Sequence, residues 1–248
     1  MSVPSPSVTL IALSPHHNPV HLGNAQAMKG NTLSESDTST LVEFVQAELP
    51  RETWKPWPGG WPEQIEAALI DAVLSIAAQY GTAENGVRGA VSRYRNAVGT
   101  EWPNDLARLA AYDPDELQAV LNDQKVSGRT KASAIVEAAA NLVALGVETA
   151  SDLDPQDPVQ KRAYTCVHGL GPVTWEYFGM LLGKPGVKAD RWILRFVSRG
   201  LGRELAPAEA RSLLHGVADR LNATPTELDH AIWAYERERQ IPEGVATE

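Results

Sequence analysis

Apolar residues recur at intervals of three and four along most of the chain from residue 36 onward. This spacing places apolar side chains along one face of an α-helix, and no stretch shows the sustained alternation of a half-buried strand. The pattern therefore predicts an all-α fold. The predicted helices cover residues 36–49, 63–80, 84–97, 103–111, 114–122, 130–145, 155–164, 172–183, 190–200, 207–221 and 225–239.

Helix starts are marked by local chemistry as well as by apolar spacing. The sequences DPDE at 113–116 and TPTE at 224–227 each combine a capping side chain, a proline and a glutamate. An Asp or Thr at the N-cap accepts a backbone N–H, proline suits the first helical position, and the glutamate reaches back to the cap. These signals predict where two of the helices begin.

Two segments lack a helical period. Residues 1–35 are rich in Ser, Pro, His and Asn, which is typical of a flexible tail. We interpret His16, His17 and His21 as part of that tail rather than as a metal cluster. Residues 54–62, WKPWPGGWP, predict a stiff aromatic connector, because proline and glycine interrupt helices. We interpret it as a strap over helix ends, and a ligand-facing role is the alternative.

The composition narrows the class of protein. The 248-residue chain can bury a core, and its charged content of 21% is ordinary for a globular protein. Its single cysteine, Cys166, excludes an internal disulfide framework, an iron–sulfur cluster and a zinc site that needs several thiolates. No apolar run reaches the ~20 residues of a membrane span, and residues 8–13 are too short for a secretory signal. We expect a soluble, cytoplasmic protein.

Charge is distributed unevenly along the chain. A net charge of −9 spread over the whole surface would repel nucleic acid phosphate. Residues 161–203, however, hold eight basic and two acidic residues, a net charge of +6. The rest of the chain holds 14 basic and 29 acidic residues, a net charge of −15. The sequence thus predicts a basic surface on an otherwise acidic protein.

Two glycines one residue apart, Gly169 and Gly171, separate two predicted helices. Glycine adopts positive φ without steric cost, so this spacing allows a tight reversal, and Pro172 suits the first turn of the next helix. The N–H groups of Gly169, Gly171 and Val173 would then point out of a helix N-terminus, where the helix dipole favours a DNA phosphate. A turn that only joins two helices is the alternative.

The segment VHGLGPVTWEYFGMLLG, 167–183, is followed by KPGVKADRWILRFVSRGLG, 184–202. Together they resemble the helix–hairpin–helix, Gly/Pro-rich loop and aspartate motif of the endonuclease III-like DNA glycosylase superfamily. The similarity extends over residues 63–240 and includes DAVLSIAAQYGT, KVSGRTKASAIVEAAANLVALG and LDHAIWAYER. The block from the hairpin to Asp190 is the most specific part.

The resemblance implies a two-lobed helical fold with a cleft between the lobes. Residues 63–183 would form one contiguous lobe that ends in the hairpin, and residues 36–62 with 184–240 would form the second, which carries the aspartate. It further implies a base excision repair protein that flips a damaged or modified base into the cleft and hydrolyses its N-glycosidic bond. Flipping is needed because that bond is inaccessible inside the base stack.

Asp190 matches the catalytic aspartate of the superfamily. The resemblance implies that its carboxylate stabilises positive charge that develops on the sugar and positions or activates water. A helix N-terminus favours a negative charge at this point. Helix physics alone also selects an N-cap Asp before RWILRFV, and the two roles are compatible.

The chain departs from the family pattern at Val173, where bifunctional members carry a lysine that attacks the sugar as an amine. Valine cannot form a Schiff base, so the resemblance implies a monofunctional enzyme, and we interpret Lys131 and Lys188 as solvated or phosphate-facing charges. The cysteine cluster of many members is missing, so we expect no iron–sulfur cluster and no other metal centre. A monovalent cation on the hairpin carbonyls, as in some relatives, is compatible with the sequence.

Further site residues are assigned by position. We expect Lys188, Arg191 and Arg195 to assist at the DNA backbone, since Arg191 and Arg195 are four residues apart on one helix face. A basic helix face that is only a solvated surface is the alternative. The candidates for filling the gap left by a flipped base, or for stacking against that base, are Gln79, Tyr80, Trp175 and Trp192. For these four, a place in the core or on the surface is the alternative.

Three functional hypotheses follow. The first is a monofunctional DNA N-glycosylase with DNA as its partner and no membrane association. The second is a catalytically inactive helix–hairpin–helix module that binds DNA or recognises a lesion. The third is a helical scaffold for a protein partner. The salt dependence of DNA binding would distinguish the third, because phosphate contacts weaken steeply as salt rises.

Overall fold

The computed structural model describes residues 35–78 and 84–239. Within them the chain is mostly helical, with a short 3-10 helix at Arg51–Thr53, and the predicted all-α fold is confirmed. The α-helices are α1 Glu35–Glu48, α2 Ile65–Leu74, α3 Gly86–Val98, α4 Leu106–Ala110, α5 Pro114–Val120, α6 Lys131–Val143, α7 Pro158–Thr165, α8 Pro172–Leu181, α9 Arg191–Leu201, α10 Pro207–Arg220 and α11 Pro225–Glu238. None of these described helices combines the length and the apolarity that crossing a membrane requires.

The two marked helix starts form where predicted, with the full capping box at α11 and the Asp113 cap at α5. Asp113 Oδ1 accepts the Asp115 N–H at 2.9 Å before α5. At α11, Thr224 Oγ1 accepts the Glu227 N–H at 3.2 Å, and the Glu227 carboxylate accepts the Thr224 N–H at 2.8 Å. These bonds satisfy N–H groups that have no partner inside the helix. Local chemistry therefore sets both boundaries.

Helix α2 ends earlier than its apolar spacing predicts. The described helix stops at Leu74, and Ala77 adopts a positive φ of 50°. Lys131 of α6 is buried, and its Nζ donates to the carbonyl oxygens of Leu74 and Ile76 at 2.8 and 2.7 Å. The ammonium group of a distant helix therefore caps this C-terminus. Lys131 is thus not the solvated charge that the sequence interpretation assumed.

One β-hairpin interrupts the helical array and was not predicted. Strand β1, Lys125–Val126, pairs antiparallel with β2, Arg129–Thr130. Ser127 and Gly128 form the turn between them, with φ values of 49° and 85°. Positive φ at both turn positions matches the twist of the flanking strands. Strands of two residues are too short for an alternating pattern to reveal them.

Buried apolar side chains form two hydrophobic clusters. The first cluster comprises residues between 61 and 182, and the second combines α1 with residues between 187 and 232. The loop before α9 connects them. All described residues nevertheless fall within one compact unit, so the predicted division into lobes stays a prediction.

The first cluster encloses a carboxylate with a complete set of partners. Glu66 is fully buried, its Oε1 accepts the Tyr94 hydroxyl at 2.6 Å, and its Oε2 accepts the Asp105 N–H at 2.9 Å. Arg108 adds a bidentate ion pair with N–O distances of 2.9 and 2.7 Å. Burial and the Glu66 carboxylate raise the pKa of Tyr94 above its ordinary value, so the hydroxyl remains a donor. This network is structural, because each charge meets a partner.

Within residues 54–62, Trp57 and Trp61 pack against the first cluster, and Trp54 packs against the second. Gly60 lies on the backbone of Leu181, where a Cβ would approach the carbonyl oxygen to 2.2 Å, so the position requires glycine. Trp61 is buried, and its Nε1 donates to Asp71 Oδ2 at 2.8 Å. The aromatic segment therefore covers α2 and the end of α8.

Candidate functional site

The turn before α8 is closely packed. Gly169 has a φ of 95°, and a Cβ there would lie 2.9 Å from Val126 Cγ2. Both the left-handed backbone and the contact with the β-hairpin therefore favour glycine. Gly171 is the N-cap residue of α8, which begins at Pro172. The glycine spacing in the sequence thus has a steric reason at Gly169.

The backbone amides of this turn differ in their partners. Gly171 N–H donates to Thr174 Oγ1 at 3.1 Å, and the Thr174 hydroxyl donates to the Gly171 carbonyl at 2.8 Å. This contradicts the predicted phosphate contact of the Gly171 amide, because Thr174 already satisfies that donor. Among the described residues, no acceptor engages the N–H groups of Gly169 and Val173. Two amides therefore remain at a helix N-terminus, where anions bind.

Asp190 is the N-cap residue of α9. Its Oδ1 accepts the N–H groups of Trp192 and Ile193 at 2.8 and 3.4 Å. Its own N–H donates to the Lys188 carbonyl at 2.6 Å. Within the part of the chain that the structure describes, Oδ2 receives no hydrogen bond, and the residue is half-buried. Because Oδ1 caps α9 and Oδ2 receives no described hydrogen bond, the N-cap role and the catalytic role predicted for Asp190 are compatible.

Lys188 does not project into solvent as a phosphate-binding side chain would. Its backbone N–H donates to Asp229 Oδ1 at 2.8 Å, and its Nζ lies 3.8 Å from the centroid of the Tyr177 ring. The quadrupole of an aromatic ring attracts a cation placed over its face. The predicted DNA-phosphate contact of Lys188 is therefore corrected, because its amine packs inward onto α8.

Three carboxylates influence the Lys188 ammonium group. They are Asp190, Asp229 and, from α2, Asp71. Among the described ion pairs, none brings a carboxylate oxygen within 4.0 Å of Nζ. Burial lowers the pKa of Lys188, and the three carboxylates oppose that shift. Burial and the charge of Asp190 raise the pKa of Asp229 well above its ordinary value. Such perturbed groups are concentrated at functional sites.

The sequence interpretation missed Asp71 and Asp229 of this cluster and three residues beside it, His230, Trp57 and Tyr177. Asp229 and His230 of α11 are buried although polar, and burial lowers the pKa of His230. Trp57 makes edge-to-face contacts with Tyr177 and His230, with ring centroids 6.5 and 5.2 Å apart. The available signal was a polar pair on the apolar face of α11, because buried polar residues need a specific reason.

Trp175 lies in the first hydrophobic cluster, not in a base pocket. It is fully buried, and its ring packs on Tyr164 and Phe178 with centroids 5.4 and 6.0 Å apart. Its Nε1 donates to the Pro155 carbonyl at 2.9 Å. The predicted stacking role is therefore corrected, because core partners already occupy both the ring and the N–H.

Trp192 is half-buried at the start of α9. The guanidinium groups of Arg191 and Arg195 lie 4.5 and 5.5 Å from its ring centroid, and both arginines are exposed. We call residues 191, 192 and 195 the Arg–Trp–Arg surface. It combines positive charge with an aromatic face, which suits phosphate contact and base stacking.

Some predicted residues lie outside the described part of the chain. These are Gln79 and Tyr80, together with the N-terminal residues His16, His17 and His21. Within residues 35–78 and 84–239, no group of three or more His, Cys, Asp or Glu side chains is arranged to hold a metal ion.

Comparison with solved structures identifies a related fold. The structure of MBOgg1, a DNA glycosylase, in complex with a low-affinity DNA ligand matches this chain with a TM-score of 0.50 and 16% sequence identity. The match covers 71% of this chain and 61% of that chain, so the similarity extends over less than two thirds of MBOgg1. At this identity the match shows the fold, which is DNA glycosylase-like.

Comparison with known sequences gives the family. No curated protein shows a significant match to the chain. A family model described as Domain of unknown function (DUF8548) matches residues 39–237. Because that match spans most of the chain, the protein belongs to the DUF8548 family.

Proposed function

We propose that this protein is a DNA N-glycosylase that flips a damaged or modified base from the duplex and hydrolyses its N-glycosidic bond. The observation that carries the proposal is Asp190, which caps α9 with Oδ1 and keeps Oδ2 free of described hydrogen bonds. The likeness of the fold to MBOgg1 in its DNA complex supports DNA as the substrate.

In this proposal, Asp190 stabilises the positive charge that develops at C1′ of the sugar as the base departs. A carboxylate oriented before the reaction stabilises that charge without the cost of reorienting solvent. The two capping bonds hold the Asp190 carboxylate in one orientation. Water then adds to C1′ and gives up a proton, which leaves a free base and an abasic site.

In this proposal, DNA is held by groups from the turn before α8 and from α9. The amides of Gly169 and Val173 contact one phosphate, and Arg191 and Arg195 contact the backbone from α9. Phosphate contacts position the strand without reading its sequence. Trp192 offers the stacking face that the buried Trp175 does not.

Helix α8, which follows the Gly169–Gly171 turn, contains no lysine and so provides no side-chain amine. Val173 stands where a lyase lysine would be needed, so the reaction on this helix ends at the abasic site. The proposed glycosylase step is therefore a hydrolysis, and strand cleavage requires a group from elsewhere.

The decisive experiment measures abasic-site formation in duplexes that each contain one uracil, alkylated purine, oxidised purine or oxidised pyrimidine. We expect the full-length protein to excise at least one of these bases. Substitution of Asp190 by Asn should reduce that rate by about 10²–10³-fold, the loss typical of removing one preorganised electrostatic group. Asn remains a good N-cap, so α9 should be retained.

Asp157 supplies a matched control. It caps α7 by accepting the Val159 N–H at 2.7 Å, and it lies outside the carboxylate cluster. Substitution of Asp157 by Asn should leave excision unchanged. Equal losses in the two variants would assign Asp190 a capping role only.

A second candidate function is a DNA-binding module without catalysis. The observation that favours it is the crowding of Tyr177, which contacts both the Trp57 ring and the Lys188 amine. Binding of lesion-containing DNA with no excision of any base would favour this module. Recovery of excision in a Trp57→Ala variant would instead identify Trp57 as an obstacle to an active enzyme.

A further inference from the structure

A cavity of about 340 Å³ opens beside the first hydrophobic cluster. Three separate segments of the chain line it, with Glu63 from the first, Trp102 and Asn104 from the second, and Ala150 and Ser151 from the third. Ligand sites span roughly 300–1,000 Å³, so this cavity is at the small end of that range. It suits one or two amino-acid side chains rather than a larger ligand.

Trp102 offers an aromatic face at this cavity. The residue is 67% exposed, more than any other large apolar residue in the described part of the chain. Its backbone N–H donates to Thr100 Oγ1 at 3.1 Å, and no described partner engages the indole ring. A tryptophan face attracts cations more strongly than other aromatic side chains do. The ring is therefore available to a cationic ligand.

Glu63 supplies a carboxylate on the opposite segment. The residue is exposed, and its positive φ of 57° is a costly conformation that persists only where the surrounding structure holds it. Among the described residues, no hydrogen bond or ion pair engages its carboxylate, and Arg95 pairs with Glu101 at 3.9 Å instead. Glu63 therefore keeps both oxygens for a donor that comes from outside the chain.

The Ser151 hydroxyl is oriented as an acceptor. Thr149 Oγ1 donates its single proton to Asp152 Oδ2 at 2.7 Å. The 2.8 Å contact between the Thr149 and Ser151 hydroxyls must then use the proton of Ser151. Ser151 Oγ thus has lone pairs left but no proton, and it suits a ligand that donates hydrogen bonds.

Asn104 contributes the complementary group, a donor. Its Oδ1 accepts the N–H groups of Ile65 and Ala150 at 3.3 and 2.9 Å. These two donors fix which end of the side-chain amide is oxygen, because Nδ2 cannot accept from them. No acceptor among the described residues engages Nδ2. The cavity therefore presents one N–H donor that suits a carbonyl oxygen of a ligand.

The charge of the three segments favours a cation. Residues 62–66, 101–105 and 148–152 each contain two acidic residues and no basic residue. Of these six carboxylates, two have basic partners, Arg108 and Arg95. The other four take part in no ion pair among the described residues, so the surroundings of the cavity carry an uncompensated negative charge that attracts cations.

We propose that this cavity binds an arginine side chain from a basic peptide segment of a partner protein. The flat guanidinium group stacks on Trp102 and donates to Glu63 and Ser151, a combination of stacking and directed donors that suits arginine. A backbone carbonyl of the same segment accepts from Asn104 Nδ2. A free guanidinium or polyamine cation has no carbonyl for that amide, and for this reason the site favours a peptide.

The cavity and the turn before α8 lie toward opposite ends of α2. Asn104 bonds the first residue of this helix, Ile65. Lys131 caps its last residue, Leu74, and directly follows the β-hairpin that contacts Gly169. The 10 residues of α2 span about 15 Å. A bound arginine therefore leaves the turn before α8 free, and the inference does not depend on the glycosylase proposal.

An NMR titration of the full-length protein tests this inference. The probe is the tripeptide glycyl-arginyl-glycine, blocked at both ends, and the control is the same peptide with glutamine in place of arginine. We expect the arginine peptide to shift the indole N–H signal of Trp102 and the side-chain amide signals of Asn104, with millimolar affinity because the contact is small. Absence of these shifts, or equal shifts with the glutamine peptide, would overturn the inference.

Three variants assign the binding to the cavity. Trp102→Ala should weaken the arginine peptide by about two- to fivefold, the loss expected for a cation–π contact at an exposed site. Glu63→Gln should weaken it by about fivefold through loss of the ion pair. Glu101→Gln removes a neighbouring carboxylate that does not line the cavity and should bind like the parent protein. Equal weakening by Glu101→Gln would indicate attraction to the acidic surface in general and would overturn the site.

Methylguanidinium chloride separates a peptide from a free cation. It carries the same charged group without a carbonyl, so we expect it to bind at least severalfold more weakly than the arginine peptide. Equal affinity would overturn the assignment of the cavity to a peptide. If a variant does not fold, the comparison of the arginine and glutamine peptides on the parent protein decides the matter.

Discussion

Two sets of buried charges behave differently in this molecule. In the first hydrophobic cluster, Glu66 meets Arg108, Tyr94 and a backbone N–H, so each of its oxygens has close partners. Beside Asp190, the charges of Lys188 and Asp229 influence each other without a described ion pair within 4.0 Å.

This difference distinguishes charges that stabilise the fold from charges that belong to the candidate functional site. A buried charge with complete hydrogen bonding holds a fold together, and removal of one partner is costly. A buried charge with an incomplete set of partners has an altered pKa and can respond to a ligand. The Glu66 network therefore stabilises the fold, whereas the charged groups in the turn before α9 can respond to a ligand.

The largest expected effect is in the packed region. Substitution of Trp175 by Ala should lower the free energy of unfolding by about 3–5 kcal/mol, because it leaves a cavity in a close-packed core. Trp192→Ala should lower it by less than about 1 kcal/mol, since surface changes are usually mild. Urea denaturation of both variants measures the comparison, and equal losses would contradict the assignment of Trp175 to core and Trp192 to surface.

The next effect tests the satisfied charge network. Glu66→Gln should lower the free energy of unfolding by about 3 kcal/mol, because it leaves the Arg108 guanidinium without its ionic partner. Glu137→Gln removes an exposed pair with Arg129 and should cost less than about 1 kcal/mol. Thermal and urea unfolding would measure both losses. A Glu66→Gln loss as small as that of Glu137→Gln would contradict a structural role for the network.

A smaller effect is expected at the Arg–Trp–Arg surface. Replacement of Arg191 and Arg195 by Gln should weaken binding to all DNA sequences by about tenfold and reduce the slope of log affinity against log salt by about 1.8, from ~0.9 per phosphate contact. Fluorescence anisotropy over a salt series measures both quantities. Arg237, which packs over Trp233 on α11 at 4.5 Å, is a control of the same chemistry. If Arg237→Gln weakens DNA binding equally, the DNA contacts are not confined to the Arg–Trp–Arg surface.

The smallest effect concerns whether the charge of the Asp229 carboxylate stabilises or destabilises the fold at pH 7. The raised pKa of Asp229 means that the folded protein holds this proton more tightly than the unfolded chain. Its contribution to stability is therefore complete below the ordinary Asp pKa and is lost as pH rises through the folded value. Asp229→Asn keeps an acceptor for Lys188 N–H and should raise the free energy of unfolding at pH 7, because it removes the cost of a buried charge.

For Asp152, the change of stability with pH has the opposite sign. Hydrogen bonds from Thr149 lower the pKa of Asp152, so Asp152 stabilises the fold above its ordinary pKa and loses that effect as pH falls through the lower folded value. Denaturation measured from pH 4 to pH 8 should show a stabilised Asp229→Asn protein and no stabilisation of Asp152→Asn. A destabilised Asp229→Asn protein at pH 7 would contradict the raised pKa and show that Lys188 stabilises the buried Asp229 carboxylate by more than burial costs it.

The sequence by itself determined most of the helices, the caps of α5 and α11 and the position of Asp190 at the start of α9. These features depend on residues within about four positions of one another, such as the Thr224 and Glu227 cap, and apolar spacing reports them directly. The left-handed backbone at Gly169 was predictable for the same reason, whereas its close contact with Val126 was not. The resemblance to the glycosylase motif also follows from a short contiguous segment.

Only the tertiary structure decided which side chains share the site. Lys188 turns inward because Tyr177 of α8 and Asp229 of α11 lie against its loop, and α2 stops where Lys131 reaches it across the fold. Partners so far apart in the chain leave no periodic pattern, since burial and charge contacts are set by packing between helices. For that reason Trp175 and Trp192, similar in sequence context, lie respectively in the core and beside the candidate catalytic carboxylate.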